Sequence, residues 1–362
     1  MTGTDPACKW SALVLSRAVT ATYRETELWR DLVEVPEALR QTLAAADGFE
    51  AAADALRGAT RVIATGNGAA YYVAQALWLA SLDGVGGPTV EALPGGLVAG
   101  GRFGWREGDR LLAVSSSGEF RDVIDAVEQG APRPVACVTA KPESSVGKLA
   151  DGRAVQTVLH QRALTHTQAF AGGVATALAV WARVTGDAGL QAELEGAADA
   201  VEQAIAATER FMDDLGPLAL PSAAVVFGSG PAWAAALEGA LFLKEVAMVP
   251  TEGCETREGG TTAMFALGEG QLVFSIATRD DPLIGEAERT CASRGATVVR
   301  LPGGDVADRR LAPITSLPPA ASVCASLSTW SPIRPSNLPR RSSSELLISW
   351  LRLVTRWSKV ST

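Results

Sequence analysis

An apolar run, a glycine turn and an Ala/Leu-rich stretch follow one another twice in this chain, and this repeat limits the folds that the chain can adopt. In residues 61–82, the apolar run Arg61-Val-Ile-Ala-Thr ends in Gly66-Asn67-Gly68, and an Ala/Leu-rich stretch follows. In residues 223–246, Ala-Ala-Val-Val-Phe ends in Gly228-Ser-Gly230, and a similar stretch follows. A short apolar run, a glycine turn and an apolar helix make one strand–loop–helix unit. We therefore predict an internal duplication, with a period much longer than that of solenoid repeats.

Further apolar runs of strand length alternate with helical patterns in both halves. The predicted strands are 89–93, 111–115, 134–139, 153–158, 271–277 and 296–301. Long helices are predicted over 165–184 and about 190–215, between the two halves. Strands and helices that alternate at this spacing favour parallel sheets covered by helices on both faces, with ligands beyond the carboxyl ends of the strands.

The loop after the predicted strand 111–115 is the first candidate site. It reads Ser115-Ser116-Ser117-Gly118 and precedes a helical pattern. The first N–H groups of a helix have no partner within it and lie at the positive end of its dipole, so they favour an anion such as phosphate. The alternative is that one serine only caps the helix and Gly118 only serves the turn. No Gly-Lys-Ser/Thr follows, so the loop is not an ATP-binding P-loop.

Composition excludes several classes of function. The net charge of −8 argues against general nucleic-acid binding, which needs a basic face. Five cysteines without CxxC spacing and only two histidines favour neither a metal site nor a disulfide framework. No apolar run approaches the ~20 residues that span a bilayer, and Arg17 interrupts the only signal-like segment. We therefore expect a cytoplasmic protein without a metal, an organic cofactor or a membrane partner.

The expected organisation has four parts. Residues 1–35 are an N-terminal extension, 36–187 a first domain, 188–308 a linking helix and second domain, and 309–362 an atypical tail. The tail has eight Lys/Arg against one Asp/Glu, with twelve serines and six prolines, and little regular periodicity before Leu346. It is either a solvated basic tail or the product of a shifted reading frame, because it interrupts the second half before its last expected strand and helix.

Three segments together resemble a known family. The run Ala236-Leu-Glu-Gly-Ala-Leu-Phe-Leu-Lys-Glu245 is similar to Leu-Glu-Gly-Ala-Leu-x-Leu-Lys-Glu of the isomerase half of glucosamine-6-phosphate synthase. Leu164-Thr-His-Thr-Gln-Ala-Phe170 is similar to that family's Val-Ala-Ser-Thr-Lys-Ala-Phe, and the serine loop resembles its Ser-x-Ser-Gly-x-Thr. The resemblance to this sugar isomerase (SIS) family covers about residues 30–305. It implies two tandem α/β domains, each a flavodoxin-like, three-layer αβα sandwich.

The resemblance also implies site residues and partners. Glu245 matches the catalytic glutamate, which moves a proton between C1 and C2 of a sugar phosphate; partial burial and the C-terminal end of a helix would raise its pKa. The alternative for Glu245 is a surface glutamate that pairs with a cation. The phosphate-binding and sugar-side candidates are Gly66, Asn67, Gly68, Ser115, Ser116, Ser117, Gly118 and Thr167. Further sugar-side candidates are His166, Glu255, Arg257, Glu258 and Lys359. A sugar phosphate and a homodimer are the implied partners.

The chain departs from the family pattern at four positions. Phe120 replaces the loop threonine, Phe242 a lysine that can form a Schiff base, Thr261 the ring-opening histidine, and Gln168 the lysine before Ala-Phe. Amination through an imine is therefore doubtful, and the glutaminase domain of the synthase is not found in the chain. Two classes of function remain open. One is an aldose–ketose isomerase or amino-sugar-phosphate deaminase, and the other is a non-catalytic sugar-phosphate sensor. A frame-shifted tail would instead predict a defective product.

Overall fold

The computed structural model describes residues 22–329, except 46, 83–85, 131–132, 217, 279–280, 282 and 303–308. Within these residues the chain is an α/β protein with two parallel sheets flanked by helices. The α/β class that the alternating pattern predicts is therefore confirmed. The strands in this described part of the chain are β1 Arg61–Gly66, β2 Thr89–Pro94, β3 Asp109–Val114, β4 Val135–Thr139, β5 Gly152–Val155, β6 Ala224–Gly228, β7 Thr251–Glu255, β8 Leu272–Ile276 and β9 Thr297–Leu301.

The two sheets have related topologies. The first has the order β2-β1-β3-β4-β5 and the second has the order β7-β6-β8-β9. All strand pairs are parallel, with Thr65 opposite Ala113 in the first sheet and Gly228 opposite Glu255 in the second. The first order is the flavodoxin-like one, and the second repeats it up to its fourth strand. Among the described residues, the second sheet has no counterpart of β5.

Fifteen α-helices lie within the described residues. They are α1 Glu27–Leu32, α2 Val35–Ala44, α3 Asp47–Leu56, α4 Ala69–Ser81, α5 Gly95–Ala99, α6 Arg121–Gly130, α7 Ser145–Leu149, α8 Thr167–Thr185, α9 Ala188–Glu195, α10 Ala197–Leu215, α11 Ala232–Glu245, α12 Thr256–Thr261, α13 Ile284–Ser293, α14 Ala312–Thr315 and α15 Leu317–Ser328. The linking helix predicted over 190–215 is two helices, because the chain breaks at Gly196.

The two halves share one core. Helix α8 is buried along almost its whole length, and α11 packs on α4. The indoles of Trp78 and Trp233 meet edge to face between these helices, with ring centroids 6.4 Å apart. Helices α4 and α11 are rich in Ala and Leu on all sides, as expected of helices that contact a sheet and a neighbouring helix. The α4–α11 contact therefore joins the first half to the second.

The N-terminal region is more regular than its sequence predicts. No pattern is evident before about residue 30, yet a 3₁₀ turn at Tyr23–Glu25 and α1 precede α2. Tyr23, Leu28, Trp29 and Leu32 are buried in the shared core. The expected N-terminal extension therefore contributes packed helices from residue 22. Residues 1–21 lie outside the described part of the chain.

The expectation of a solvated tail from residue 309 is wrong for its first part. Helices α14 and α15 are buried against α10 and α11, and their Pro313, Pro318 and Pro319 lie at helix starts, where proline is tolerated. Arg310 forms ion pairs with Asp187 and Glu193 of the linking region. The polar and proline-rich composition of residues 309–362 as a whole did not indicate the apolar helix α15. Residues 330–362, including the pattern from Leu346, lie outside the described residues.

A buried ion cluster lies at the amino end of the first sheet, opposite the serine loop. Arg61 donates to both carboxylate oxygens of Asp109, at 3.0 and 2.6 Å, and to Glu91 at 3.0 Å. It also donates to the carbonyl oxygen of Gly104 at 3.0 Å. The Asp109 side chain is fully buried, and hydrogen bonding to Arg61 contributes to lowering its pKa against the opposing effect of burial. This cluster fixes the start of β1 beside β2 and β3.

Neither a membrane span nor a metal cluster is found in the part of the chain that the structure describes. None of its helices combines the length and the apolar character that crossing a bilayer requires. None of its His, Cys, Asp and Glu side chains form a group of three or more that could hold a metal ion.

Candidate functional site

The serine loop lies directly beyond the carboxyl end of β3. Ser115 is buried and its Oγ accepts from the Gly118 N–H at 3.1 Å, whereas Ser117 Oγ accepts from Glu119 N–H at 3.3 Å. These hydroxyls therefore bond within the loop and do not cap α6. The N–H groups of Ser116 and Ser117 donate to no atom of the described residues. With the Ser116 hydroxyl, they form a set of donors suited to an anion.

Gly118 is required by the geometry of this loop. Its φ is +66°, and a Cβ placed on it would lie 1.8 Å from Ser144 Oγ. Ser144 caps the start of α7, and the Glu119 carboxylate accepts from Ser145 N–H and Oγ–H at 3.0 and 2.7 Å. The loop after β3 is thus held against the helix that follows β4. This contact leaves no room for a side chain at residue 118.

We predict that Gly118→Ala removes anion binding at the serine loop. The methyl group overlaps Ser144, and the left-handed backbone is unfavourable for alanine, so the loop must move. Affinity for glucosamine 6-phosphate, measured by calorimetry, should fall at least about tenfold, a change worth about 1.4 kcal/mol. Gly260→Ala is the matched control because a Cβ there meets no atom within 4 Å and its φ is not left-handed. Equal affinities of the Gly118→Ala variant and the wild type would contradict the prediction.

The glycine loop after β1 lies at the same edge of the first sheet. Asn67 Nδ2 donates to Asp122 of α6 at 3.0 Å, and its Oδ1 accepts from Gly95 N–H at 3.1 Å. Both ends of this amide therefore join the loop after β1 to the first turns of α5 and α6. A Cβ on Gly66 would lie 2.6 Å from the Ala70 carbonyl carbon, so glycine permits α4 to start close to the strand. Gly68 has a φ of +56° and is exposed.

Glu245 lies at the last residue of α11 and is half-buried. Burial raises the pKa of its carboxyl, while the nearby Thr165 hydroxyl and Lys244 lower it. Thr165 and the carboxyl do not meet hydrogen-bond geometry in this structure, and the hydroxyl has no other described partner. Glu245 also contributes to the raised pKa of Tyr72, in the first turn of α4. The carboxyl from the second half therefore lies near groups of the first half.

Glu238 is a neighbour that the sequence did not single out. It is completely buried on α11, and neither of its carboxyl oxygens has a hydrogen-bond partner among the described residues. Burial, with a smaller contribution from Glu245, raises its pKa well above the usual 4.5. Phe242, four residues later on the same helix face, is buried and supplies no cation. The sequence contained one signal for this neighbour: Glu238 lies two helical turns before Glu245, so both fall on the same side of α11.

We predict that Glu238→Gln stabilises the protein at neutral and alkaline pH. Below pH 4.5 the carboxyl is protonated in both states. Above it, the unfolded state ionises first, so wild-type stability falls by about 1.4 kcal/mol per pH unit until the raised pKa is reached. Glutamine does not titrate, so its advantage should grow with pH in urea unfolding between pH 5 and 8. An advantage that stays constant over this range would contradict the prediction.

Thr165, which lies near Glu245, is followed by His166 and by Thr167, the first residue of α8. Thr167 is buried, and its Oγ1 has no partner among the described residues. His166 keeps an accessible face, while protein atoms crowding the ring lower its pKa. Its Nε2 lies 2.7 Å from Gln161 Nε2. The lowered pKa favours the neutral imidazole, whose unprotonated nitrogen can accept from the Gln161 amide.

The cluster around Glu255 forms regular structure at the edge of the second sheet. Glu255 ends β7, and its carboxylate accepts from the N–H groups of Arg257 and Glu258 at 2.8 and 3.0 Å, which caps α12. Arg257 and Glu258 are exposed and have no side-chain hydrogen bond or ion pair within the described residues. Within the described residues, no hydrogen bond or ion pair joins this cluster to Glu245. Lys359 lies outside the described residues.

Comparison with known proteins identifies a sequence relative. The glutamine–fructose-6-phosphate aminotransferase (isomerizing) of Aeropyrum pernix is 26% identical over 294 residues, which cover 76% of this chain and 47% of the relative. The chain thus spans about half the length of the curated relative it matches. No protein-family model matches the chain.

Solved structures share the fold. Tagatose-6-phosphate ketose/aldose isomerase from Escherichia coli has a TM-score of 0.69 at 17% identity and covers 86% of this chain and 95% of its own. Glucosamine-6-phosphate deaminase from Thermotoga maritima has a TM-score of 0.67 at 18% identity and covers 88% and 98%. The resemblance that the motifs indicate is therefore confirmed: the chain is homologous to a glutamine–fructose-6-phosphate aminotransferase and has the fold of phosphosugar isomerases.

Proposed function

We propose that the chain binds a phosphorylated hexose or amino sugar, with the phosphate at the serine loop. The N–H groups of Ser116 and Ser117, which have no acceptor within the described part of the chain, and the nearby hydroxyls support an anion there. Gly118 lets the loop turn closely against Ser144. Phe120 is 39% exposed at the position of the family's threonine, so this loop has one hydroxyl donor fewer. An apolar ring beside the phosphate would favour a ligand whose carbon skeleton packs on it.

Glu245 would carry the chemistry. One carboxylate takes the proton from C2 of an aldose while O1 gains a proton, which gives an enediol. It then returns its proton to C1 while the O2 hydroxyl loses one, so the ketose forms without a redox partner. The observation that supports this role best is the half-buried position of Glu245, with a raised pKa, near Thr165 and Tyr72 of the first half. Deamination of an amino-sugar phosphate would use the same proton transfer, with water as co-reactant and ammonia as leaving group.

The sensor remains a second candidate. Phe120 and Phe242 replace polar groups of the family pattern, and the buried Phe242 offers no amine near Glu238. A sensor would bind the same sugar phosphates without converting them. Turnover of fructose 6-phosphate or glucosamine 6-phosphate by the purified protein would exclude the sensor. Binding without turnover, unchanged by Glu245→Gln, would support it.

We also propose a domain organisation and an oligomeric state for the protein. The repeated strand order supports two tandem sugar isomerase domains, at residues 36–187 and 188–308. A homodimer in the cytoplasm remains the expected state, and light scattering on the purified protein tests the dimer. A defective product with a frame-shifted tail is tested by resequencing the coding DNA: an uninterrupted frame in close relatives would reject it.

A further inference from the structure

The N-terminal helices hold the segment that leads into α8. Asp31 of α1 is buried, and its Oδ2 accepts from the backbone N–H groups of Arg162 and Ala163 at 2.7 and 2.8 Å. The Arg162 guanidinium donates to Oδ1 of the same carboxylate at 2.8 Å. Residues 159–166 contain no helix or strand, so these backbone groups depend on Asp31 for an acceptor.

Glu34 adds a second carboxylate to this contact. It accepts from the Arg162 guanidinium at 3.0 and 2.8 Å, lies 2.9 Å from His160 Nδ1, and accepts from Gln168 Nε2 at 3.2 Å. Hydrogen bonding to Arg162 is the main reason that the pKa of Glu34 falls to about 2. Arg162 is thus held between two carboxylates from one short stretch of the N-terminal region. Such paired, charge-assisted bonds fix geometry better than a single exposed ion pair.

The Gln168 side chain joins the two ends of the segment 159–168. Its Oε1 accepts from the Leu159 and His160 N–H groups at 2.8 and 3.3 Å, while Nε2 donates to the Asp31 carbonyl at 3.0 Å. A lysine at this position could donate but could not accept the two backbone N–H groups. A glutamine at residue 168 therefore suits this contact, because its amide can both accept and donate. Between these anchors lie Thr165, His166 and Thr167.

We propose that Asp31 and Glu34 are positioning residues of the sugar-phosphate site. They hold residues 159–168 so that Thr165 lies near the Glu245 carboxyl, although neither carboxylate forms a hydrogen bond to Glu245 within the described residues. The role of this segment at the site rests on the proposed function. That these residues fix the segment 159–168 follows from the hydrogen bonds to Asp31, Glu34 and Gln168, whatever the function.

The test combines hydrogen exchange with ligand binding in the full chain. In Asp31→Ala, peptides covering residues 159–165 should exchange at least tenfold faster, with exchange in β1 and β3 unchanged. The affinity for glucosamine 6-phosphate, measured by calorimetry, should fall tenfold or more, and Glu34→Gln should cause a smaller loss. Arg40→Ala is the matched control, because it removes ion pairs of α2 with Asp199 and Glu202 without a contact to the segment.

Three results would overturn the proposal. These are unchanged exchange of residues 159–165 in Asp31→Ala, equally faster exchange in both sheets, and faster local exchange with unchanged affinity. If the wild type binds neither glucosamine 6-phosphate nor fructose 6-phosphate, the proposed function fails. The exchange measurement then still decides whether Asp31 holds the segment. Glu34→Gln gives the same readout if Asp31→Ala does not fold.

Discussion

Glu245→Gln is expected to lower the rate of proton transfer between C1 and C2 by about 10²–10⁴, the usual contribution of a positioned general base. The amide keeps the size of the side chain but cannot take a proton. The rate is measured by NMR, as solvent-hydrogen exchange at C1 and C2 of fructose 6-phosphate and glucosamine 6-phosphate in D₂O. Binding should persist, because the proposed phosphate donors lie on the serine loop.

The matched control for this substitution is Glu252→Gln, an exposed glutamate on the edge strand β7. It should leave the rate unchanged. In the wild type, activity should rise with pH through a value above 4.5, because burial raises the pKa of Glu245 and the base acts when ionised. A Glu245→Gln variant that retains the wild-type rate would exclude Glu245 as the base.

Asp109→Ala is expected to destabilise the protein by about 1.5–3 kcal/mol, because the buried Arg61 guanidinium loses two charge-assisted hydrogen bonds and keeps those to Glu91 and the Gly104 carbonyl. Arg61 is almost fully buried, and Asp109 supplies two of its acceptors. The substitution also removes the acceptor of the Arg106 N–H, at 2.6 Å. The free energy of unfolding is measured in urea.

Glu91→Gln is the control for the Arg61 cluster, because the Glu91 side chain is 38% exposed. An exposed ion pair contributes up to about 1 kcal/mol, so the loss should be small. Both variants alter the amino end of the first sheet, whereas the proposed site lies at the carboxyl ends of its strands. Sugar-phosphate affinity of the folded Asp109→Ala protein should therefore equal that of the wild type. A loss for Asp109→Ala as small as that for Glu91→Gln would contradict this account.

Strands with a buried apolar run could be predicted from the sequence. Residues 61–65 and 223–227 end in glycine turns, and the structure has β1 and β6 there, each followed by an apolar helix. The serine loop could also be placed, because its polar residues end the apolar run of β3. In these segments local pattern and tertiary packing favour the same structure.

Strand β7 could not be predicted, because its sequence Thr-Glu-Gly-Cys-Glu lacks an apolar period. It forms at the sheet edge, where only Cys254 is buried. Gly253 is needed there, since a Cβ would lie 2.7 Å from the Ala236 carbonyl oxygen of α11. The contact belongs to residues distant in sequence, so no local pattern reveals it.

The support of the candidate site was hidden for the same reason. The role of Asp31 is visible only from its hydrogen bonds to Arg162, Ala163 and Gln168, which lie more than 130 residues later in the sequence. Glu238 lies within the run that resembles the family, but its complete burial depends on how α11 packs against the rest of the chain. Sequence motifs therefore identified candidate chemical groups, whereas the groups around them required the three-dimensional structure.

A crystal structure with glucosamine 6-phosphate bound tests the central claim most directly. We expect the phosphate on the N–H groups of Ser116 and Ser117, and a Glu245 carboxylate oxygen within about 3–3.5 Å of C1 or C2, as proton transfer requires. A phosphate bound away from the serine loop, or a Glu245 carboxylate beyond the reach of both carbons, would contradict it.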